Sequence, residues 1–304
     1  MRMPLAEVLQ SAARSDWTTW LVTSTTSSAA ETRAFLDRAL SHLPTATHNR
    51  VAKRMQRADA AGIDAVLHEL VAFETCRTLH LNPTFEPDAG GQRPDLSIQV
   101  NGTTVWCDVF VTYRPTSTLR TFEDLQGYED AGQAAKKIGD AVSTKATKYA
   151  KLNAPLIVFV MFGEYNVGLQ DLETALYGST VDEVSVDGVS TSECHEDWHK
   201  HGILCPPSAS APYPSLSAVV SCDWFDTLNR SARGRRLHCV VYHHWRSQFP
   251  LSLGAFGPFG DLWWQLDESR QRFIPRVSGD SSIVMGTASD DPPRFAPYST
   301  EAPW

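Results

Sequence analysis

Residues 93–110 read Arg-Pro-Asp-Leu-Ser-Ile-Gln-Val-Asn-Gly-Thr-Thr-Val-Trp-Cys-Asp-Val-Phe. Two apolar, period-two runs flank Asn101-Gly102, a pattern that predicts a β-hairpin closed by a tight turn. Asp95 opens the first strand and Asp108 sits inside the second. Carboxylates are depleted in strands, and a charge placed there has to be paired, solvated or bound to a cation. Two acids converging across a hairpin suit a hard divalent metal ion. The segment therefore suggests a metal-dependent hydrolase.

Outward from the hairpin, strand patterns cover 83–87, 95–100 and 103–112. Upstream, residues 4–15 and 29–43 read as amphipathic helices, 47–58 (THNRVAKRMQRA) as a short basic helix, and 62–79 as a longer one with an apolar face. Downstream, 114–129 reads as loop. Residues 130–152 are strongly helical and carry lysines at 136, 137, 145, 148 and 151. After Pro155 the uninterrupted run LIVFVMF has the character of a fully buried strand. The order is helix, three strands, helix, strand. Short links make the first three strands antiparallel neighbours, and the helical crossover makes the last a parallel addition. The expected class is α/β, a mixed sheet flanked by helices. Beyond residue 165, a helix is expected at 169–177, an extended loop at 183–214, and β-like runs at 216–225 and 236–245. From 275 a Pro/Ser/Asp-rich tail reads as irregular. The division expected is a helical extension over 1–59, a core over 60–165, and a C-terminal α/β extension with that tail over 166–304.

The 304 residues are 42% apolar, enough for a core. A net charge of −8 argues against a basic, non-specific nucleic-acid coat but leaves room for a local basic groove. No stretch approaches the roughly 20 apolar residues of a membrane span, and the N-terminus lacks a signal-peptide core. A cytoplasmic, reducing location is expected, with the six cysteines as thiols or ligands rather than disulfides.

With Pro94-Asp95, a spacer of 12 residues and Asp108 in place, the chain resembles the PD-(D/E)XK nuclease-like superfamily. The likeness covers roughly residues 60–162. It implies a restriction-endonuclease-like αβββαβ core in which Asp95 and Asp108 bind Mg2+ or Mn2+. Glu69, on the preceding helix, matches an acid that many members supply from that position. The implied activity is hydrolysis of phosphodiester bonds in nucleic acid, DNA in the first place, by a nuclease of no membrane association that can form a homodimer. The chain also resembles a group of uncharacterised, often actinobacterial, bacterial proteins of this fold. The shared features are His68-Glu69-Leu70, Arg93-Pro94-Asp95, Lys145 to Tyr149, Leu176-Tyr177-Gly178 and the Ser-Ala-Val-Val run at 217–220. That group carries no function across.

The chain departs from the motif at Phe110, which stands where the superfamily has a lysine. Two readings stay open. Either the site is catalytically inactive and the fold serves to bind nucleic acid or protein, or the ammonium comes from the following helix. There Lys145 and Lys148, three residues apart, share a face, and a lysine stem is long enough to reach the acids. Members of the superfamily are similar in allowing this migration. Taken singly, these lysines are an ordinary solvated face, Glu69 an ordinary helix residue and Asp95 an ordinary strand-start residue; Asp108, mid-strand between apolar residues, is harder to explain without a partner. A separate group, Cys194, His195, His199, His201 and Cys205, has zinc-type ligands. Its spacing matches no paired arrangement, and a polar loop is the plainer reading. The arginines at 230, 233, 235 and 236 form a basic patch that reads first as a solvated turn.

Overall fold

Asn101 and Gly102 both lie in the left-handed region, at φ 50° and 80°. Such a turn matches the twist of the strands it joins, and the hairpin closes where the sequence places it. The computed structural model describes residues 3–10, 15–112, 131–162, 169–177, 202–204, 213–226, 235–244, 247–257, 260–267, 272–278, 281–284 and 294–297. Five helices come first: α1 (Leu5–Gln10), α2 (Asp16–Thr23), α3 (Ser27–His42), α4 (Thr45–Arg57) and α5 (Ala60–Thr78). Then follow β1 (Thr84–Phe85), β2 (Leu96–Val100), β3 (Thr103–Thr112), α6 (Ala131–Tyr149), β4 (Leu156–Phe162) and α7 (Leu169–Tyr177). The remaining strands are β5 (Leu216–Asp226), β6 (Arg235–His243), β7 (Gly260–Asp267), β8 (Arg272–Ser278), β9 (Ser281–Val284) and β10 (Arg294–Pro297).

The protein is α/β with one mixed sheet ordered β1-β2-β3-β4-β5-β6-β7-β8, while β9 pairs with β6 and β10. The first three strands are antiparallel, and β4 joins β3 in parallel after the α6 crossover, as the link lengths require. β4 is buried at every residue, so it has no polar face to give to water and can occupy only the middle of a covered sheet.

Alternation on β3 divides the core in two. Val105, Cys107, Val109 and Val111 pack with α5 and the helices outside it. Trp106 and Phe110 face the other way, onto the cluster built by Ile138, Val142 and Ala146 of α6 with Leu172 and Leu176 of α7. α5 is buried along almost its whole length, from Val66 to Cys76 without a break. Its sequence offers one apolar face, but α3 and α4 cover the other side. The charged Glu74 is therefore fully buried, and it is held by both Nε and Nη2 of Arg77 at 2.8 Å and by Nδ1 of His42 at 3.0 Å. Cys76, Cys107, Cys222 and Cys239 are buried free thiols.

One helix forms against the propensity of its residues, and one feature differs from the sequence expectation. α2 (DWTTWLVT) is a helix although its β-branched and aromatic residues favour strands; Ser15 caps it, its hydroxyl accepting from the Thr18 N–H at 3.2 Å. The tail from 275 is not simply irregular, for β8 ends in it and β9 and β10 lie within it. β8 pairs with β7 over seven residue pairs, with Pro275 opposite Trp264. It ends the strand order, and an edge strand tolerates a residue that cannot donate on both sides. Among the described residues no helix is long and apolar enough to cross a membrane.

Phe159, fully buried on β4, stacks edge-to-face on Phe256 at 6.4 Å between centroids. Phe159→Ala is expected to lower stability by about 3–5 kcal/mol, read from urea unfolding. A loss below about 1 kcal/mol would mean that β4 is not at the centre of the sheet.

Candidate active site

The register of the hairpin brings the two acids together. The last paired positions are Leu96 and Cys107, so the next step sets Asp95 opposite Asp108, on the face that carries Trp106 and Phe110. The Asp95 backbone carbonyl accepts from the Glu86 N–H at 2.8 Å. Its side chain accepts from the Val109 N–H at 2.7 Å, which fixes the carboxyl against β3. Asp108 is only 2% exposed. Asp95 is half-buried and opens onto a cleft.

α6 supplies the cations. Lys145 Nζ donates to Asp108 Oδ1, and Lys148 Nζ lies 3.6 Å from Oδ2. Both lysines therefore reach the acid, as one helix face at a spacing of three allows. Phe110 meanwhile packs into the apolar layer under α6, so the motif position holds a core residue. Tyr149, the last residue of α6, donates from its hydroxyl to the Arg93 carbonyl at 3.2 Å. Gln92 Nε2 donates to the Lys148 carbonyl at 3.0 Å. These two bonds tie the segment before β2 to the lysine-bearing helix.

Glu69 approaches from α5, across the sheet. It is buried and makes an ion pair with Arg54 of α4. Arg54 also pairs with Glu86, which in turn pairs with Arg50 at 2.6 Å. Neither Arg54 nor Glu86 stands out in the sequence as a site residue. The available signals were the basic spacing of 47–58 and the Glu in the link between β1 and β2.

The charges are unequal in a physically intelligible way. Burial first, then the proton it shares with Asp108 and the nearby Glu69, pushes the Asp95 carboxyl up to about 9. Burial also works against the charge on Asp108, but that shared proton and the Lys145 ammonium hold it below the usual carboxylate range. Burial raises Glu69 too, against the opposing pull of Arg54. Burial and mutual repulsion thus work against a second negative charge on the pair, raising Asp95, while Lys145 draws Asp108 down.

A divalent ion fits this donor set in one respect. Asp108 Oδ2 is buried without a hydrogen-bond partner of ordinary geometry, a position that would otherwise be costly. Asp95 and Asp108 would be the residues to hold the ion. Among the described residues no group of three or more His, Cys, Asp or Glu side chains is arranged to bind a metal, and Glu69 is paired with Arg54. The zinc-type group at Cys194, His195, His199, His201 and Cys205 lies outside the described residues, as do Arg230 and Arg233.

No family model matches the chain. No curated protein and no solved structure matches it either.

Because folding raises the Asp95 carboxyl, the folded state keeps a proton that the unfolded chain releases above about pH 4. Asp95 therefore costs stability progressively as pH rises from there toward 9. Asn keeps an acceptor for the Val109 N–H and never ionises. In metal-free buffer at about pH 8, Asp95→Asn is expected to raise the melting temperature by about 3 °C or more, with the gain shrinking as the pH falls toward about 4. Equal melting at every pH would contradict this account of the acid pair.

Proposed function

We propose that the chain is a Mg2+- or Mn2+-dependent nuclease that hydrolyses phosphodiester bonds in nucleic acid, DNA in the first place, on a PD-(D/E)XK-like core. The contact of Lys145 with Asp108 supports this reading most, because it puts an ammonium beside the acids although Phe110 occupies the motif position. The element order from α5 to β4, with its antiparallel meander and parallel crossover strand, supports the fold side of the reading.

In this proposal Asp95 and Asp108 hold the ion and Glu69 assists them. An ion held there would supply Lewis-acid chemistry, polarisation of a phosphate oxygen and a lowered pKa for a bound water. The chain's own groups do the rest. Lys145, buried enough to be weakly screened, orients the water through Nζ and stabilises negative charge that develops on the phosphate. Lys148, more exposed and farther from the acid, adds positive potential with less positional control. Tyr149 and Gln92 fix the lysines relative to Asp95 by holding the Arg93 segment to α6.

A second reading has one specific observation behind it. The Glu69 carboxylate is already paired with Arg54, as a site kept only for binding would allow. In that case the fold is a catalytically inactive module that binds nucleic acid or protein.

Cleavage of single- and double-stranded DNA and RNA in Mn2+ separates the two. The nuclease reading predicts cleavage of at least one substrate. It predicts a loss of about 100-fold or more in Asp108→Ala and Lys145→Ala, and about 10-fold or less in Lys148→Ala. Absence of metal-dependent cleavage of every substrate by the wild type would overturn it.

A further inference from the structure

Beside Asp95 lies a cleft of about 910 Å3. Five of the side chains that line it are cationic: Arg50, Lys53, Arg54 and Arg57 from α4, and Arg93 from the segment before β2. The four on α4 follow the i, i+3, i+4, i+7 spacing and so share one face. The opposite face, His48, Val51, Ala52 and Met55, is buried. A solvated basic stripe on a packed helix is common, but this one is concave and ends at a reactive carboxyl, in a chain whose net charge is −8. Arg50 and Arg54 are engaged by Glu86 and Glu69. Lys53, Arg57 and Arg93 are exposed and make no ion pair among the described residues. Among the described residues no aromatic side chain lines the cleft, so the described lining has no platform for base stacking. What it offers is a row of phosphate ligands.

We propose that α4 and Arg93 form a track that grips the phosphates of one polynucleotide strand and leads it to Asp95 and Asp108. The proposal rests on the nuclease reading, which supplies the reason for a phosphate at the acid pair. From Arg50 to Arg57 the helix advances about 10 Å, close to the axial rise of three nucleotides in a duplex. Binding through this track is indifferent to base sequence and falls steeply with salt. Arg54 stays on its carboxylates as the floor of the track, while Lys53, Arg57 and Arg93 are the free hands.

The test is binding of a short labelled oligonucleotide, as single-stranded DNA, duplex DNA and RNA, by the full chain in EDTA across a KCl series, followed by fluorescence anisotropy. The proteins compared are wild type, the triple variant Lys53→Gln/Arg57→Gln/Arg93→Gln, and the charge-keeping Lys53→Arg/Arg57→Lys/Arg93→Lys. Wild type is expected to bind at least one oligonucleotide. The triple variant, melting as the wild type does, should bind it about 10-fold or more weakly near 0.1 M salt, with a log–log salt slope smaller by about 2–3. The charge-keeping variant should retain the wild-type slope. Unchanged affinity and slope in the triple variant would overturn the proposal. So would failure of all three oligonucleotides to bind, or displacement by polyglutamate as effective as by unlabelled oligonucleotide, which would point to an acidic protein as the ligand. Track and nuclease fail separately. Binding lost in the triple variant, with no Mn2+-dependent cleavage by the wild type, keeps the track and removes the nuclease. Cleavage by the wild type with undiminished binding in the triple variant does the reverse.

Discussion

A carboxylate on a strand at the middle of a covered sheet has to be answered by another charge, and in this protein Lys145 answers Asp108. Much of the architecture around the site serves that pair. The Asn101-Gly102 turn fixes the register that sets Asp95 opposite Asp108. The crossover through α6 lays a helix over the same face of the sheet. Phe110 and Trp106 fill the apolar layer beneath that helix and so help set how closely it approaches. Pulling Lys145 away would leave Asp108 buried with only the more exposed Lys148 and its neighbours Asp95 and Tyr149 to offset the loss of water.

The electrostatics around the pair are arranged in sequence across the sheet. On the α6 side are two ammonium groups that reach one acid. On the α4 side is a guanidinium that holds Glu69 and Glu86, with further cations beyond it along the cleft. Between them sits an acid pair in which burial and the neighbouring acids raise the Asp95 carboxyl. The contrast with Glu74 is instructive. That carboxylate is fully buried as well, yet three basic side chains surround it and it is not among the described residues that line the cleft beside Asp95. It is a structural charge.

The sequence made the centre of this molecule legible, and the reason is locality. A hairpin register, a helical crossover and an i, i+3 lysine pair are all set by spacing within a few tens of residues. Asp95, Asp108, Lys145 and Lys148 come together through those spacings alone. Glu69 fell into place by its order in the chain, but its partner did not. Arg54 meets Glu69 and Glu86 through the packing of α4 on α5 and on the link before β2, and no local period records such a meeting. The all-round burial of α5 was hidden for a similar reason: its outer side is covered by helices whose docking is a tertiary fact. In the tail, Pro and Ser masked β8 to β10, which take their conformation from strands already in the sheet rather than from their own propensity.

The central claim is that the Asp95–Asp108 pair is a divalent-cation site completed by α6. Electron paramagnetic resonance of Mn2+ titrated into the purified full chain tests it most directly, since free and bound ion are counted without any substrate. The account predicts a saturable site on the wild type that is lost in Asp108→Asn and kept in Phe110→Leu. Absence of bound Mn2+ on the wild type, or binding that survives Asp108→Asn unchanged, would contradict it.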